Sequence, residues 1–189
     1  MKLSIIWIIG SLAVMWVVEI INGFIGHRLS VWGILPRTTS GLIGIPLSPF
    51  LHGSFNHVLS NTIPFLVLGG LVGLRGAQKL VGLSLFIIVV GGAGVWLLGR
   101  PAIHVGASGL VFRYFGYLVA NGWFDRRPIS IFAAIAVIVV YGSLVFGVIP
   151  TTGFVSWEAH LFGLLAGVLS ARLTRRVRTQ TAPLATDHD

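Results

Sequence analysis

Gly106-Ala107-Ser108-Gly109-Leu110-Val111-Phe112 decides how the rest of the chain is read. A serine flanked by small residues opens an apolar segment that ends near Asn121, a stretch of 14 residues. As a helix it reaches about 21 Å, whereas the hydrocarbon of a bilayer is about 30 Å thick and a full span takes about 20 residues. One end of such a helix has to lie inside the membrane, fed by the loop Gly99-Arg100-Pro101-Ala102-Ile103-His104-Val105. Ser108 then stands at a buried helix N-terminus below the membrane surface. A hydroxyl there calls for an explanation.

The membrane reading rests on composition. Of 189 residues, 55% are hydrophobic and 10% charged, with a mean hydropathy of +0.93. A soluble domain carries about 25% charged residues. Around the 108–121 segment lie five more apolar runs, at 3–25, 57–74, 79–98, 129–148 and 158–174. The first is too long for the apolar region of a signal peptide and lacks a convincing cleavage site, so it reads as a permanent span. The connection 26–56 contains Pro36, Pro46 and Pro49 but is too apolar for a solvated linker, and is predicted to lie partly embedded. The sequence thus predicts an all-α membrane protein with six spans in a single domain, 1–178, and a disordered polar tail, 179–189.

Charge and cysteine content exclude other classes. Cysteine is absent, which removes disulfides, thiolate metal sites and cysteine nucleophiles. The formal charge of +8 does not indicate nucleic acid, because the basic residues sit between apolar runs rather than on one wet face. They read as topology signals. With the N-terminus inside, nine basic residues (Lys2, Arg75, Lys79, Arg126, Arg127, Arg172, Arg175, Arg176, Arg178) fall inside and three (Arg28, Arg37, Arg100) outside. That imbalance predicts both termini in the cytoplasm. Ser108, His57 and His160 then share one depth in the outer half of the bilayer.

Spacing groups these polar residues further. His57 and Asn61 are four apart and share a helix face. Gly163 and Gly167 follow His160 on one face, and Ser108, Phe112 and Gly116 form another. Two such small-residue faces bring helices close enough for a serine and a histidine to meet. Each motif alone has a plain reading as helix packing or an interhelical hydrogen bond; three on three helices at one depth point to a site. A serine hydroxyl needs a neighbouring base, and histidine serves near neutral pH. Among the carboxylates, Asp125 is predicted on the opposite side, Asp187 and Asp189 in the tail, and Glu158 points away from His160. Glu19 stays open. A Ser108–His160 dyad is therefore favoured over a triad, with Phe112 offering a ring face to the imidazole. The Ser108 amide, His57 and Asn61 supply oxyanion donors.

These residues resemble the rhomboid family of intramembrane serine proteases. The motifs His57-x-x-x-Asn61, Gly106-x-Ser108-Gly109 and His160-x-x-Gly163-x-x-x-Gly167 occur in the family's order, after the similar lead-ins Leu35-Pro36-Arg37 and Phe50-Leu51-His52-Gly53-Ser54-Phe55-Asn56-His57. The resemblance covers about residues 26–170. It implies a six-helix rhomboid-like bundle with a short, buried-start fourth helix and a long embedded first loop. Ser108 would be nucleophile and His160 general base, with His57, Asn61 and the Ser108 amide as the oxyanion hole. Gly106 and Gly109 would shape the start of the helix. It further implies transmembrane protein substrates in a lipid bilayer, no cofactor, and a gate formed by the fifth span and the loop 149–157. A prokaryotic plasma membrane suits the short loops.

The rival readings are a small transporter, a catalytically silent client-binding relative, and a metalloprotease, for which the His-Glu-x-x-His motif is absent. Arg113, mid-span, is predicted to pair with Glu19 or else to reach a hydrated pocket alone. His104 reads as a solvated loop residue.

Overall fold

The structure, a computed structural model, describes residues 1–151 and 155–180. The apolar runs become long helices whose ends are set by polar, glycine or proline residues. Helix α1 spans Lys2–Phe24. The connection after it carries the short helix α2 (Gly44–Leu47) and 3-10 turns at Arg28–Trp32, Ser40–Leu42 and Ser48–Phe50. Helices α3 (Phe55–Gly73), α4 (Ala77–Leu98) and α5 (Ser108–Asp125) follow. Helix α6 (Pro128–Tyr141) starts with proline at its first position and continues as a 3-10 helix, Gly142–Val148. Helix α7 spans Trp157–Gln180. Among the described residues there is no β-strand, only an isolated bridge between Ile34 and His104.

Among the described residues, four stretches are long and apolar enough to cross a membrane: α1, α3, α4 and the run Pro128–Val148. Helix α5 is the centre of the bundle, with Gly109 through Leu118 all buried. Protein rather than lipid surrounds it, so it tolerates Arg113, Tyr114 and Asn121. Its start at Ser108 matches the sequence reading, but it runs to Asp125, four residues beyond 121, because nothing breaks it before Arg126 enters the left-handed region at φ 54°. At 18 residues it is about 27 Å long, still shorter than the hydrocarbon.

Helix α7 packs on α5 more extensively than any other helix pair in the bundle. Glycines permit it. A methyl group on Gly163 would lie 2.7 Å from the Gly109 carbonyl oxygen, and one on Gly116 would lie 2.7 Å from that of Leu164. A methyl on Gly167 would collide with the Arg113 carbonyl oxygen. The two small-residue faces read from the sequence are the ones that meet.

The long connection is tied down by its own polar groups. Asn22 donates to the His52 carbonyl (3.0 Å) and to Ser30 Oγ (3.2 Å), and accepts from the Leu29 amide (2.9 Å). Arg37 donates to the carbonyls of Gly99 (2.8 Å) and Leu97 (3.3 Å), satisfying acceptors at the end of α4. Ile34 and His104 exchange two backbone hydrogen bonds of 3.0 and 2.9 Å. The first loop therefore leans on the loop that feeds Ser108.

Three expectations need correction or limits. Arg113 does not pair with Glu19: the glutamate is fully buried and sits 3.1 Å from His27 Nε2. The Arg113 guanidinium instead fits against Gly91, Gly109 and Gly163, with Nε lacking a hydrogen-bond partner among the described residues, beside a void of about 20 Å³. Residues 179 and 180 continue α7, and the rest of the tail predicted at 179–189 lies outside the described residues. The loop 149–157 is described only in part, since residues 152–154 lie outside the described set.

The glycine contacts make a stability prediction. Gly167→Ala overpacks the α5–α7 seam and should cost about 1–3 kcal/mol. Gly10→Ala, where nothing lies within 4 Å of the added methyl, should be neutral or slightly stabilising. Thermal unfolding of both variants in detergent checks this.

Candidate active site

Ser54 fixes where α3 begins. Its side chain accepts from the His57 amide at 3.2 Å, an N-cap that sets His57 in the first turn. Ser156 does the same for α7, accepting from the Ala159 amide at 3.3 Å and so setting His160 one turn in. Helix α5 has no side-chain cap at Ala107, so its first amides point outward without an intrahelical partner. The N-terminal ends of α3, α5 and α7 meet at a cavity of about 770 Å³. Ser108, His57, Asn61, Phe112 and His160 all line it.

The His160 ring is held on two sides. It stacks on Phe112 with centroids 4.0 Å apart and planes 5° from parallel. Its Nδ1 lies 2.9 Å from the Gly147 carbonyl oxygen. A carbonyl only accepts, so the proton is assigned to Nδ1 and the lone pair to Nε2. That is the tautomer a general base needs, imposed by a backbone carbonyl rather than a carboxylate. Gly147 is required for the approach: a methyl there would sit 2.6 Å from the Phe112 ring and 3.1 Å from His160 Nδ1.

Gly106 lies beneath His57. Its φ of +119° favours glycine, and a methyl group would stand 2.7 Å from the His57 ring and 3.6 Å from Ser108 Oγ. Asn61 donates through Nδ2 to the His57 carbonyl at 3.0 Å, which leaves its second amide proton for the cavity. Among the described residues, no hydrogen bond joins Ser108 Oγ to the His160 ring in this conformation. Catalytic hydrogen bonds in unliganded sites are often loose and tighten with substrate. Gly109, Gly163 and Gly167 act below the cavity, in the helix seam.

The described carboxylates are engaged elsewhere. Glu19 serves His27 and Asp125 accepts from Ser130 Oγ at 2.7 Å. Glu158 is 3.4 Å from Arg100 Nε and accepts from the Arg100 amide at 3.3 Å. Arg100 also donates to the carbonyls of Thr151 (2.6 Å) and Val155 (2.8 Å), joining the loop before Ser108 to the loop before His160. Among the described residues no three His, Asp or Glu side chains converge as metal ligands.

Two histidines do more than the sequence suggested. His104 is buried rather than solvated, with Nε2 3.2 Å from the Arg100 carbonyl and Nδ1 on Ser156 Oγ. Its backbone pairing with Ile34 drew it inward. His52 is fully buried and its Nε2 accepts from the Ala107 amide at 3.2 Å, one residue before the nucleophile candidate. Its ring meets His57 edge-on, 5.0 Å between centroids. The lead-in to His57 carried that signal; Gly147 and Ser156 carried none.

A family model, the Rhomboid domain, matches residues 39–177. The chain belongs to the rhomboid family. It is 39% identical over 182 residues to protein Rv1337 of Mycobacterium tuberculosis, covering 88% of this chain and 76% of that one. Protein ML1171 of Mycobacterium leprae is 34% identical over 193 residues, covering 94% and 76%. A protein of Acanthamoeba polyphaga mimivirus, L523, named as a rhomboid, is 28% identical over 141 residues, covering 69% and 74%. Rhomboids are in general serine intramembrane proteases, and the apolar helices make this member an integral membrane protein.

Burial links the site's support to acidity. Burial, with the nearby His57, lowers the His52 imidazole from the usual 6.5 to about 3, and burial lowers His104 as well. The unfolded chain takes up these protons near pH 6.5 and the folded rhomboid resists them. Stability present above that pH is lost as pH falls toward 3. Melting temperatures between pH 7 and 4 should fall less steeply for His52→Asn than for wild type. Parallel slopes would show that His52 is not the acid-sensitive support.

Proposed function

We propose that this rhomboid is an active intramembrane serine endopeptidase that cuts peptide bonds in or near the transmembrane helices of single-span membrane proteins. The observation that carries the reading is the His160 ring, bound through Nδ1 to a carbonyl, stacked on Phe112, and facing the cavity that Ser108 also lines. His160 Nε2 takes the Ser108 proton as Oγ attacks the scissile carbonyl carbon. The oxyanion gathers donors from the Ser108 amide, His57 and the free amide proton of Asn61. Collapse breaks the C–N bond, and His160 returns its proton to the leaving amine. Water then enters and gives a proton to His160 as its oxygen bonds to the acyl carbon. The bond to Ser108 Oγ breaks, and His160 passes the proton to Oγ, restoring the serine and freeing the acid.

A substrate helix has to unwind locally for this attack, since a helical carbonyl is hydrogen-bonded and shielded. A cavity of about 770 Å³ has room for a short extended segment. We further place both termini in the cytoplasm of a prokaryotic plasma membrane, with the cavity opening outward, on the strength of the nine-to-three imbalance of basic residues. The reaction needs no cofactor.

The missing Ser108–His160 hydrogen bond favours one second reading, a silent relative that binds membrane clients without cutting them. Co-expression with a panel of single-span substrates separates the two. Wild type should cleave at least one, while Ser108→Ala and His160→Ala abolish cleavage. His57→Ala and Asn61→Ala should each slow it by about 100- to 1000-fold, the usual loss for one oxyanion donor. Clients retained uncut by well-folded wild type would favour the silent reading.

A further inference from the structure

The opposite end of α5 holds a second polar recess. Its volume is about 360 Å³, and Asn121, Asp125, Arg126, Arg127 and Arg175 line it. Asp125 accepts from Ser130 Oγ at 2.7 Å and sits 3.6 Å from Arg127 Nε, so its charge is committed at the rim. Among the described residues, three guanidinium groups and one carboxylate line the recess. Asn121 is only 4% exposed and its Nδ2 has no hydrogen-bond partner among the described residues. A buried donor left unpaired is costly, so a recess lined by such a donor and by more guanidinium than carboxylate groups calls for an anion.

Two features say which anion. Trp123, in the last turn of α5, is 73% exposed. Amphipathic indole rings gather at headgroup level, which sets the recess at the membrane boundary. Thr174 lines the recess and also an apolar groove of about 300 Å³ between α4 and α7, walled by Leu83, Phe86 and Leu173. A phosphate in the recess and an acyl chain in the groove are the two halves of one lipid.

We propose that this recess binds the phosphate of an anionic phospholipid, with Asn121, Arg126, Arg127 and Arg175 as donors and an acyl chain lying in the α4–α7 groove. Basic pockets of this kind between membrane helices recognise charged headgroups. The recess begins about 20 Å along α5 from Ser108, so its donors do not touch the reacting atoms.

The test is native mass spectrometry of the delipidated full chain, titrated with phosphatidylglycerol or with phosphatidylcholine of the same chains. Phosphatidylglycerol should bind at least about fivefold more tightly, and the exposed substitution Arg126→Gln should remove about fivefold, the worth of one cation near a charged headgroup. Asn121→Ala should weaken phosphatidylglycerol in the same direction, while Lys2→Gln, on a different helix, should leave it unchanged. Equal affinity for the two lipids would overturn the proposal. So would a Lys2→Gln loss matching that of Arg126→Gln, which would mean diffuse surface charge. Displacement of the lipid by inorganic phosphate at equal concentration would assign the recess to a free anion instead.

Discussion

The closeness of α5 and α7 is the constraint on which the rest depends. Two helices separated by ordinary side chains hold their axes 8–10 Å apart. Here Gly109 and Gly116 on one helix and Gly163 and Gly167 on the other remove the side chains at the contact, and backbone meets backbone. Ser108 and His160 stand at the same end of that seam. Widening it by one methyl group would move hydroxyl and imidazole apart by a distance that matters to proton transfer. Bilayers offer no hydrophobic drive between helices, so such close van der Waals packing has to supply the association.

Around that seam the polar groups form a relay from α1 to the nucleophile candidate. Asn22 holds the His52 carbonyl, the His52 ring holds the Ala107 amide, and Ser108 follows directly. On the other side Glu158 and Arg100 tie the loop before Ser108 to α7. These bonds satisfy backbone groups of both loops, which keeps irregular backbone tolerable at membrane depth. The arrangement fixes both loops without placing a carboxylate on His160. The Gly147 carbonyl orients the ring instead, and the 3-10 helix that continues α6 and ends the fifth span presents that carbonyl to the ring.

Much of this was legible in the sequence because it depended on spacing. The start of α5 at Ser108, the faces carrying Gly163 and Gly167, and the meeting of His57, Asn61, Ser108 and His160 all follow from helical periodicity and hydropathy. What escaped was set by tertiary contact. Arg113 was matched to Glu19 because both are charged and intramembrane, but His27, eight residues from Glu19, reached it first through a left-handed turn at φ 60°. His104 looked solvated until its backbone paired with Ile34. Gly147 resembled every other glycine in an apolar run, and only the folded chain brings it against Phe112 and His160.

The central claim is that His160 activates Ser108. The most direct measurement is covalent labelling of the purified protein with a fluorophosphonate, with the modified residue located by peptide mass spectrometry. The account predicts an adduct on Ser108, formed at least about 100-fold more slowly in His160→Ala, the usual range for loss of a general base. Labelling of Ser108 at an equal rate without His160, or an adduct on another residue of the folded protein, would contradict it.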